Sequence, residues 1–337
     1  MIFSKKKLKK YLKEKSPSLL KVLLAVYRRY FILTQYRHHL NHLNIRKDPR
    51  KKLKKVPQKK IYTLDHTYGG ICNLGDYINV FLFEQMGYEV ALVKHYSKKK
   101  VDFLVLGVGT CLDKMHLEDM IYNKKVRKNI LVWGSGVRDK NEINFLKNLQ
   151  ESKKLKIFAL RGLVSKNLLA PKKNIPLGDP AFLLPMFLKL KRKNDGKVTY
   201  IPHYQNQKNL KEKMKILGAE DYFDIRIPKK KFIGATKRIV NSGFVLTNSL
   251  HGAIICQAYG VPYAPCILPG EKIDSYLKWE DAFSWLGIWE DFRFVKNYRE
   301  GRIWWENVGS KVKINKKSMI RLMKSFPLDK SNLKPIL

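Results

Sequence analysis

Phe244-Val245-Leu246-Thr247-Asn248-Ser249-Leu250-His251-Gly252-Ala253-Ile254-Ile255 begins as a buried strand and turns into a helix within twelve residues. Phe244 to Thr247 is short and rich in aliphatic and β-branched side chains, which suits a strand. Polar Thr247, Asn248 and Ser249 end it, and His251 to Tyr259 reads as the helix that follows. The same alternation extends upstream, with strand Val198 to Ile201, helix Asn209 to Leu217, strand Phe223 to Ile227 and helix Lys229 to Val240. Such alternation predicts βαβ units, and hence a parallel sheet with helices on both faces.

A second series precedes it. Ile61 to Leu64, Val90 to Val93, Val101 to Leu106, Ile130 to Trp133 and Leu155 to Leu160 read as strands. Tyr77 to Met86, Asn141 to Gln150 and Val164 to Leu169 read as helices. Between the series lies a Pro-, Gly- and Lys-rich stretch from Gly178-Asp179-Pro180 to Gly196, read as a domain boundary. The expected organisation is α/β: a Rossmann-like lobe over 61–188, a second over 189–337 with C-terminal helices, and a basic N-terminal segment over 1–60. Ligands in such a pair bind at the carboxyl ends of the strands, in the central cleft.

Lys and Arg number 68 against 28 Asp and Glu, a net charge of +40. Charge of this size governs association rather than fold. It fits anionic partners, and a general Lys bias would produce it too. The four cysteines, Cys72, Cys111, Cys256 and Cys266, lack Cys-x-x-Cys spacing, so neither a zinc site nor a disulfide framework is expected. No apolar run reaches the ~20 residues of a membrane span, and no signal peptide is expected. Within 1–60, Lys21, Arg28 and Gln35 would share one stripe of a helix, while Leu20, Leu23, Leu24, Tyr27, Phe31 and Ile32 cover the rest. A basic amphipathic helix of this kind can lie on an anionic membrane surface, or pack on the protein's own core.

Five segments could carry chemistry. Tyr68-Gly69-Gly70-Ile71-Cys72-Asn73-Leu74-Gly75-Asp76 follows a strand and opens a helix, so Asn73 and Gly75 could present backbone N–H groups to an anion. Asp76 is placed either to cap that helix or to act as a base. Trp133-Gly134-Ser135-Gly136-Val137-Arg138 ends a strand in small residues and a cation. Ala159-Leu160-Arg161-Gly162 does the same, with Ser165 behind it. Arg161 could fork onto a carboxylate or phosphate, or form a surface ion pair. Ile201-Pro202-His203-Tyr204 closes the first strand of the second series. Asn248 to Gly252 sets His251 at a helix start, where a nearby anion is favoured and the imidazole pKa falls.

In this order the segments resemble the polysaccharide pyruvyl transferase family over about residues 61 to 290. Also matching are Leu177-Gly178-Asp179-Pro180-Ala181-Phe182-Leu183-Leu184-Pro185, Gln257 to Pro262, and Leu277 to Gly287. Residues 1–60 and the last forty or so show no counterpart. The resemblance implies a GT-B-like fold, phosphoenolpyruvate as donor and a pyruvate ketal on a sugar as product. It implies donor contacts from Arg161 and from the positions of Ser249, Leu250 and His251, where the family carries Arg-Leu-His. Ser249 departs from that pattern, and Arg138, Arg226 or Arg238 could supply the missing charge.

On this reading, Arg161 and Asn248 to Gly252 hold the donor, with Asn73, Gly75, Ser135 and Arg138 contributing. His251 is the acid or a phosphate ligand, Asp76 is the base, and His203 is a rival for either role. No metal or cofactor is expected beyond phosphoenolpyruvate as substrate. The partners are a sugar acceptor on a lipid-linked oligosaccharide and an anionic membrane, with no nucleic acid, because no nucleic-acid-reading motif is present. The site of action would be cytoplasmic, at the inner face of the cytoplasmic membrane. The alternative is a nucleotide-sugar glycosyltransferase of the same architecture, since fold does not fix function.

Overall fold

The computed structural model describes residues 59–66, 70–94, 100–273 and 275–328. All of these except Gly70 fall in one compact unit. The basic segment over 1–60 lies outside the described residues apart from Lys59 and Lys60. Among the described residues, no helix is long and apolar enough to cross a membrane.

The first half alternates as its periodicity predicts. Its elements are β1 (Lys60–Leu64), β2 (Ile71–Asn73), α1 (Leu74–Gln85), β3 (Glu89–Val93), β4 (Val101–Leu106), α2 (Lys114–Tyr122), β5 (Val126–Trp133), α3 (Ile143–Glu151), β6 (Leu155–Ala159) and α4 (Leu163–Leu169). Strands β1 and β3 pair in parallel, and β4, β5 and β6 form a parallel sheet in that order. The Thr63 hydroxyl of β1 donates to the Val105 carbonyl of β4 at 2.8 Å. A turn of 3-10 helix (Pro180–Leu183) and a short helix (Leu184–Phe187) lead into the second half. There follow β7 (Val198–Ile201), α5 (Leu210–Leu217), β8 (Asp221–Tyr222), β9 (Arg226–Pro228), α6 (Phe232–Asn241), β10 (Phe244–Thr247), α7 (Leu250–Tyr259), β11 (Tyr263–Pro265), α8 (Tyr276–Leu286), α9 (Tyr298–Asn307) and α10 (Lys316–Lys324). Strands β11, β10, β7 and β8 form a second sheet, parallel throughout.

Three local readings change. The Gly-rich stretch before α1 contains a strand, β2, which pairs antiparallel with β9 so that Cys72 faces Ile227. A three-residue strand is too short to alternate, and its partner lies 155 residues away. The expected strand Phe223 to Ile227 is divided, because Asp224 holds Arg226 through its backbone and side chain (2.9 and 3.0 Å) where the chain leaves the second sheet for β2. Helix α1 starts at Leu74, with the Asn73 side chain accepting from Gly75 N at 3.0 Å. Asn73 is therefore the cap. Asp76 stands in the first turn, where a negative charge suits the helix end without capping it.

One buried cluster contains Ile78, Leu82, Phe83 and Trp133 of the first half together with Tyr200, Leu246, Ile255 and Trp304 of the second. A second cluster lies about β4 to β6 and takes in Leu277 of α8. Of the last forty or so residues, which sequence reading left without a counterpart, the described ones up to Leu328 complete the first cluster. The Trp133 indole donates to the Leu322 carbonyl at 2.9 Å, and the Phe326 ring packs on Trp133, Tyr88 and Phe83 with centroids 4.9, 5.7 and 5.8 Å away.

Phe326→Ala should therefore lower the free energy of unfolding by about 3–5 kcal/mol, the usual cost of deleting a buried aromatic ring. Urea denaturation of both proteins measures it. A loss below about 1 kcal/mol would show that residues after α10 lie outside the cooperative core.

Candidate active site

At the end of β6, Arg161 points inward. It is fully buried and pairs with the equally buried Asp281 of α8, Nε to Oδ2 at 3.1 Å. Its Nη1 donates to the Thr110 hydroxyl at 2.8 Å, while Nη2 is buried with no hydrogen-bond partner. The surface ion pair that the sequence allowed is thus a buried one, with one donor left over. Asp281 is saturated: it accepts from Ser165 N at 2.8 Å and from the Ser165 hydroxyl at 2.6 Å. That hydroxyl accepts in turn from Val137 N at 2.9 Å. Gly136 makes the arrangement possible, since a Cβ there would fall on the Arg161 guanidinium and 2.6 Å from Asp281 Oδ2.

Arg161 acts electrostatically on Asp179 and on His251. Asp179 precedes the 3-10 turn and is fully buried, with Oδ1 accepting from Ala181 N at 3.0 Å. Its Oδ2 lies 4.0 Å from His251 Nε2, too far for a hydrogen bond. Neither of these two buried atoms has a partner. Burial pushes the Asp179 carboxyl up to about 7, opposed by the Ala181 N–H and by Arg161 and reinforced by Asp281. Burial pulls the His251 imidazole down to about 4; Asp76 resists this, and Lys278 and Arg161 add to it. His251 is accordingly neutral at pH 7, and Asp179 is poised between its two forms.

The first and fifth motifs meet here. A Cβ on Gly75 would fall inside the His251 ring, so Gly75 is what lets the start of α1 approach the start of α7. Asp76 acts electrostatically on His251, and also on His66 after β1 and Cys111 after β4. It therefore lies near the chain after β1 and β4 and near the start of α7. Buried Lys278 lies three residues before Asp281 on α8 and adds positive charge near His251.

The other sequence-derived residues lie around this centre with their own partners. The Ser135 hydroxyl donates to the Gly109 carbonyl at 2.9 Å and accepts from Cys111 N at 3.1 Å. Arg138 pairs with Asp113 at 3.0 Å. Asn248 accepts from His203 N and donates to Glu271 at 2.9 Å. The His203 ring packs on Tyr204, centroids 4.3 Å apart. Ser249 N donates to the Thr247 hydroxyl at 3.0 Å, Gly252 fits against that same hydroxyl, and Leu250 is in the core. Of the cations offered in place of an Arg at position 249, Arg226 pairs with Asp224 and Arg238 with Asp221, each at 2.8 Å. Besides Arg161, Lys278 is the cation that acts on His251.

Sequence reading missed Asp179, Lys278, Asp281 and Thr110. Asp179 sits in a Gly-Asp-Pro run that reads as a linker. Lys278 and Asp281 belong to a helix whose amphipathic pattern gives no hint that its polar face is buried. The available signal was that both runs, Leu177 to Pro185 and Leu277 to Gly287, match the family resemblance, which marked the stretches without giving these side chains a role.

A family model described as polysaccharide pyruvyl transferase matches residues 18–266. The match begins within the segment that sequence reading set apart and stops short of α8. The chain is similar to the succinoglycan biosynthesis protein ExoV of Rhizobium meliloti (strain 1021), 26% identical over 220 residues, which cover 64% of this chain and 62% of that protein. It is also similar to the uncharacterized protein L143 of Acanthamoeba polyphaga mimivirus, 29% identical over 121 residues, covering 35% and 42%. It thus spans less than two thirds of the length of these curated relatives. Among solved structures, an uncharacterized Klebsiella pneumoniae subsp. pneumoniae NTUH-K2044 protein aligns at 16% identity and TM-score 0.46, over 71% of this chain and 92% of that one.

If Gly75 exists to admit His251, Gly75→Ala should cost more than about 2 kcal/mol, as overpacking does. Gly234→Ala, in α6 with open space at its Cβ, should be neutral or stabilise by up to ~1 kcal/mol. Thermal unfolding of the two variants compares them; equal melting temperatures would contradict the contact.

Proposed function

This chain belongs to the polysaccharide pyruvyl transferase family, and from that premise we propose that it transfers the pyruvyl group of phosphoenolpyruvate to a sugar of a surface polysaccharide or its lipid-linked precursor. The product is a pyruvate ketal, with phosphate released. The observation that carries the reading is a set of three buried polar atoms without partners, Arg161 Nη2, Asp179 Oδ2 and His251 Nε2, the last two 4.0 Å apart and both groups within electrostatic reach of Arg161. Leaving such atoms unsatisfied costs about 1–3 kcal/mol each; with Asp179 protonated and the His251 proton on Nε2 all three donate, so a ligand rich in acceptors would offset the cost. A small donor with a carboxylate and a phosphate meets that description. A GT-B-like arrangement would put it in a cleft between the sheets, at their carboxyl edges.

Arg161 takes a donor oxygen through Nη2, held rigid by Asp281 and Thr110. Lys278 adds the second positive charge that a trianion requires. His251 is neutral, which suits a hydrogen-bonding ligand to the donor better than a cationic acid. Asp76 lies toward the first sheet, where it can accept a proton from an attacking sugar hydroxyl. A lipid-linked acceptor would hold the protein at the inner face of the cytoplasmic membrane, with residues 1–60 on anionic headgroups. Sedimentation with acidic vesicles, but not with neutral ones, tests that location.

Incubation of the full chain with phosphoenolpyruvate and a panel of pyranosides should release phosphate and raise the sugar mass by one pyruvate less water. Stabilisation against heat by a nucleotide sugar, and not by phosphoenolpyruvate, would favour glycosyl transfer instead. Arg161→Lys keeps a charge opposite Asp281 but loses the planar fork. Donor affinity, read from the phosphoenolpyruvate-dependent melting shift, should fall at least about tenfold. Affinity within about twofold of the parent would leave Arg161 as a structural partner of Asp281 only.

A further inference from the structure

We propose that Asp179 is the acid that protonates the methylene carbon of the donor, an assignment that rests on the pyruvyl-transfer reading of the same site. The reaction needs a proton delivered to carbon, and two groups at the centre have an unpartnered buried atom to deliver it from, Asp179 Oδ2 and His251 Nε2. Geometry fixes the carboxyl. Oδ1 is held by Ala181 N, so Oδ2 is turned toward His251 at 4.0 Å. A substrate atom set off the line between the two can reach both.

The charges around them separate the roles. Asp179 is faced by Arg161 just after β6, Asp281 of α8 and His251 of α7. His251 is faced by Asp76 of α1, Lys278 of α8 and Arg161. With two cations acting on it and Nε2 withdrawn from water, the imidazole stays neutral, and a neutral imidazole is a very weak acid. Burial instead keeps a proton on the carboxyl near neutral pH, which is the state a general acid needs.

The proton balance closes on the same residue. The carbon–carbon π pair takes the Asp179 proton, forming the methyl C–H bond and an oxocarbenium centre at the adjacent carbon. One sugar hydroxyl adds to that centre, forming a C–O bond and giving up its proton. The ester C–O bond then breaks, and its electron pair leaves with phosphate. The second hydroxyl adds to the carbon and gives up a second proton. One of the two protons restores Asp179, and the other departs on phosphate. No oxidant, reductant or further reactant is needed.

Asp179→Asn keeps an oxygen for Ala181 N and removes the proton. Its kcat should drop about 10²–10⁴-fold, while the phosphoenolpyruvate-dependent melting shift persists. For wild type, kcat should fall as pH rises through about 7, where Asp179 ionises. The folded pKa lies above the ordinary carboxylate value of 3.8, so ionisation destabilises the fold as pH rises between those values. Asp179→Asn should therefore melt at or above wild type at alkaline pH, and gain nothing at acid pH. If Asp179 were only a structural ion-pair partner, the variant would melt lower at alkaline pH. An Asn variant that forms ketal within about fivefold of wild type, or a wild-type kcat that stays flat between about pH 6 and 9, overturns the assignment. Wild type that forms ketal beside an active Asn variant defeats Asp179 alone. Wild type that binds no phosphoenolpyruvate and forms no ketal defeats the pyruvyl-transfer reading and this assignment with it.

Discussion

The buried pair between Arg161 and Asp281 is the contact around which the centre is built. Both side chains are wholly withdrawn from water, and each such charge costs several kcal/mol to desolvate. The fold meets that cost with hydrogen bonds from Ser165, which in turn is tied to Val137. Removing either charge would leave the other buried alone, a loss of about 3–5 kcal/mol. The partners are 120 residues apart, so their pairing fixes α8 against the end of β6. Lys278, one helical turn before Asp281, is thereby carried toward His251.

From that placement follow the protonation states. Arg161 and Lys278 weigh against a cationic imidazole, and burial does the same. Burial also weighs against an ionised Asp179, and the single nearby guanidinium does not reverse it. Two titratable groups 4.0 Å apart are thus driven in opposite directions from their ordinary values, an arrangement suited to acid–base work at neutral pH. The proposed catalytic duty and the local cost in stability would share one cause, the exclusion of water from polar atoms that have no internal partner.

The parallel sheets were legible because each strand is a short aliphatic run ending in polar residues, as in Phe244 to Thr247. Residues at strand ends, such as Arg161 and His251, were legible for the same reason. Asp179 was not, because Gly-Asp-Pro carries the chemistry of a turn whether it lies on a surface or in a core. β2 was not, because a three-residue strand declares itself only through its partner. Gly75 could be read as making way for an anion, and the structure shows it making way for an imidazole ring. The role of α8 was hidden because sequence order does not reveal that it packs on the first half.

The central claim is that Arg161 Nη2, Asp179 Oδ2 and His251 Nε2 are unsatisfied because the donor satisfies them. A crystal structure of the full chain with phosphoenolpyruvate tests this directly. The account predicts a donor oxygen on Arg161 Nη2, a hydrogen bond from His251 Nε2, and the methylene carbon against Asp179 Oδ2. A donor bound elsewhere, with these three atoms still unpartnered, would contradict it.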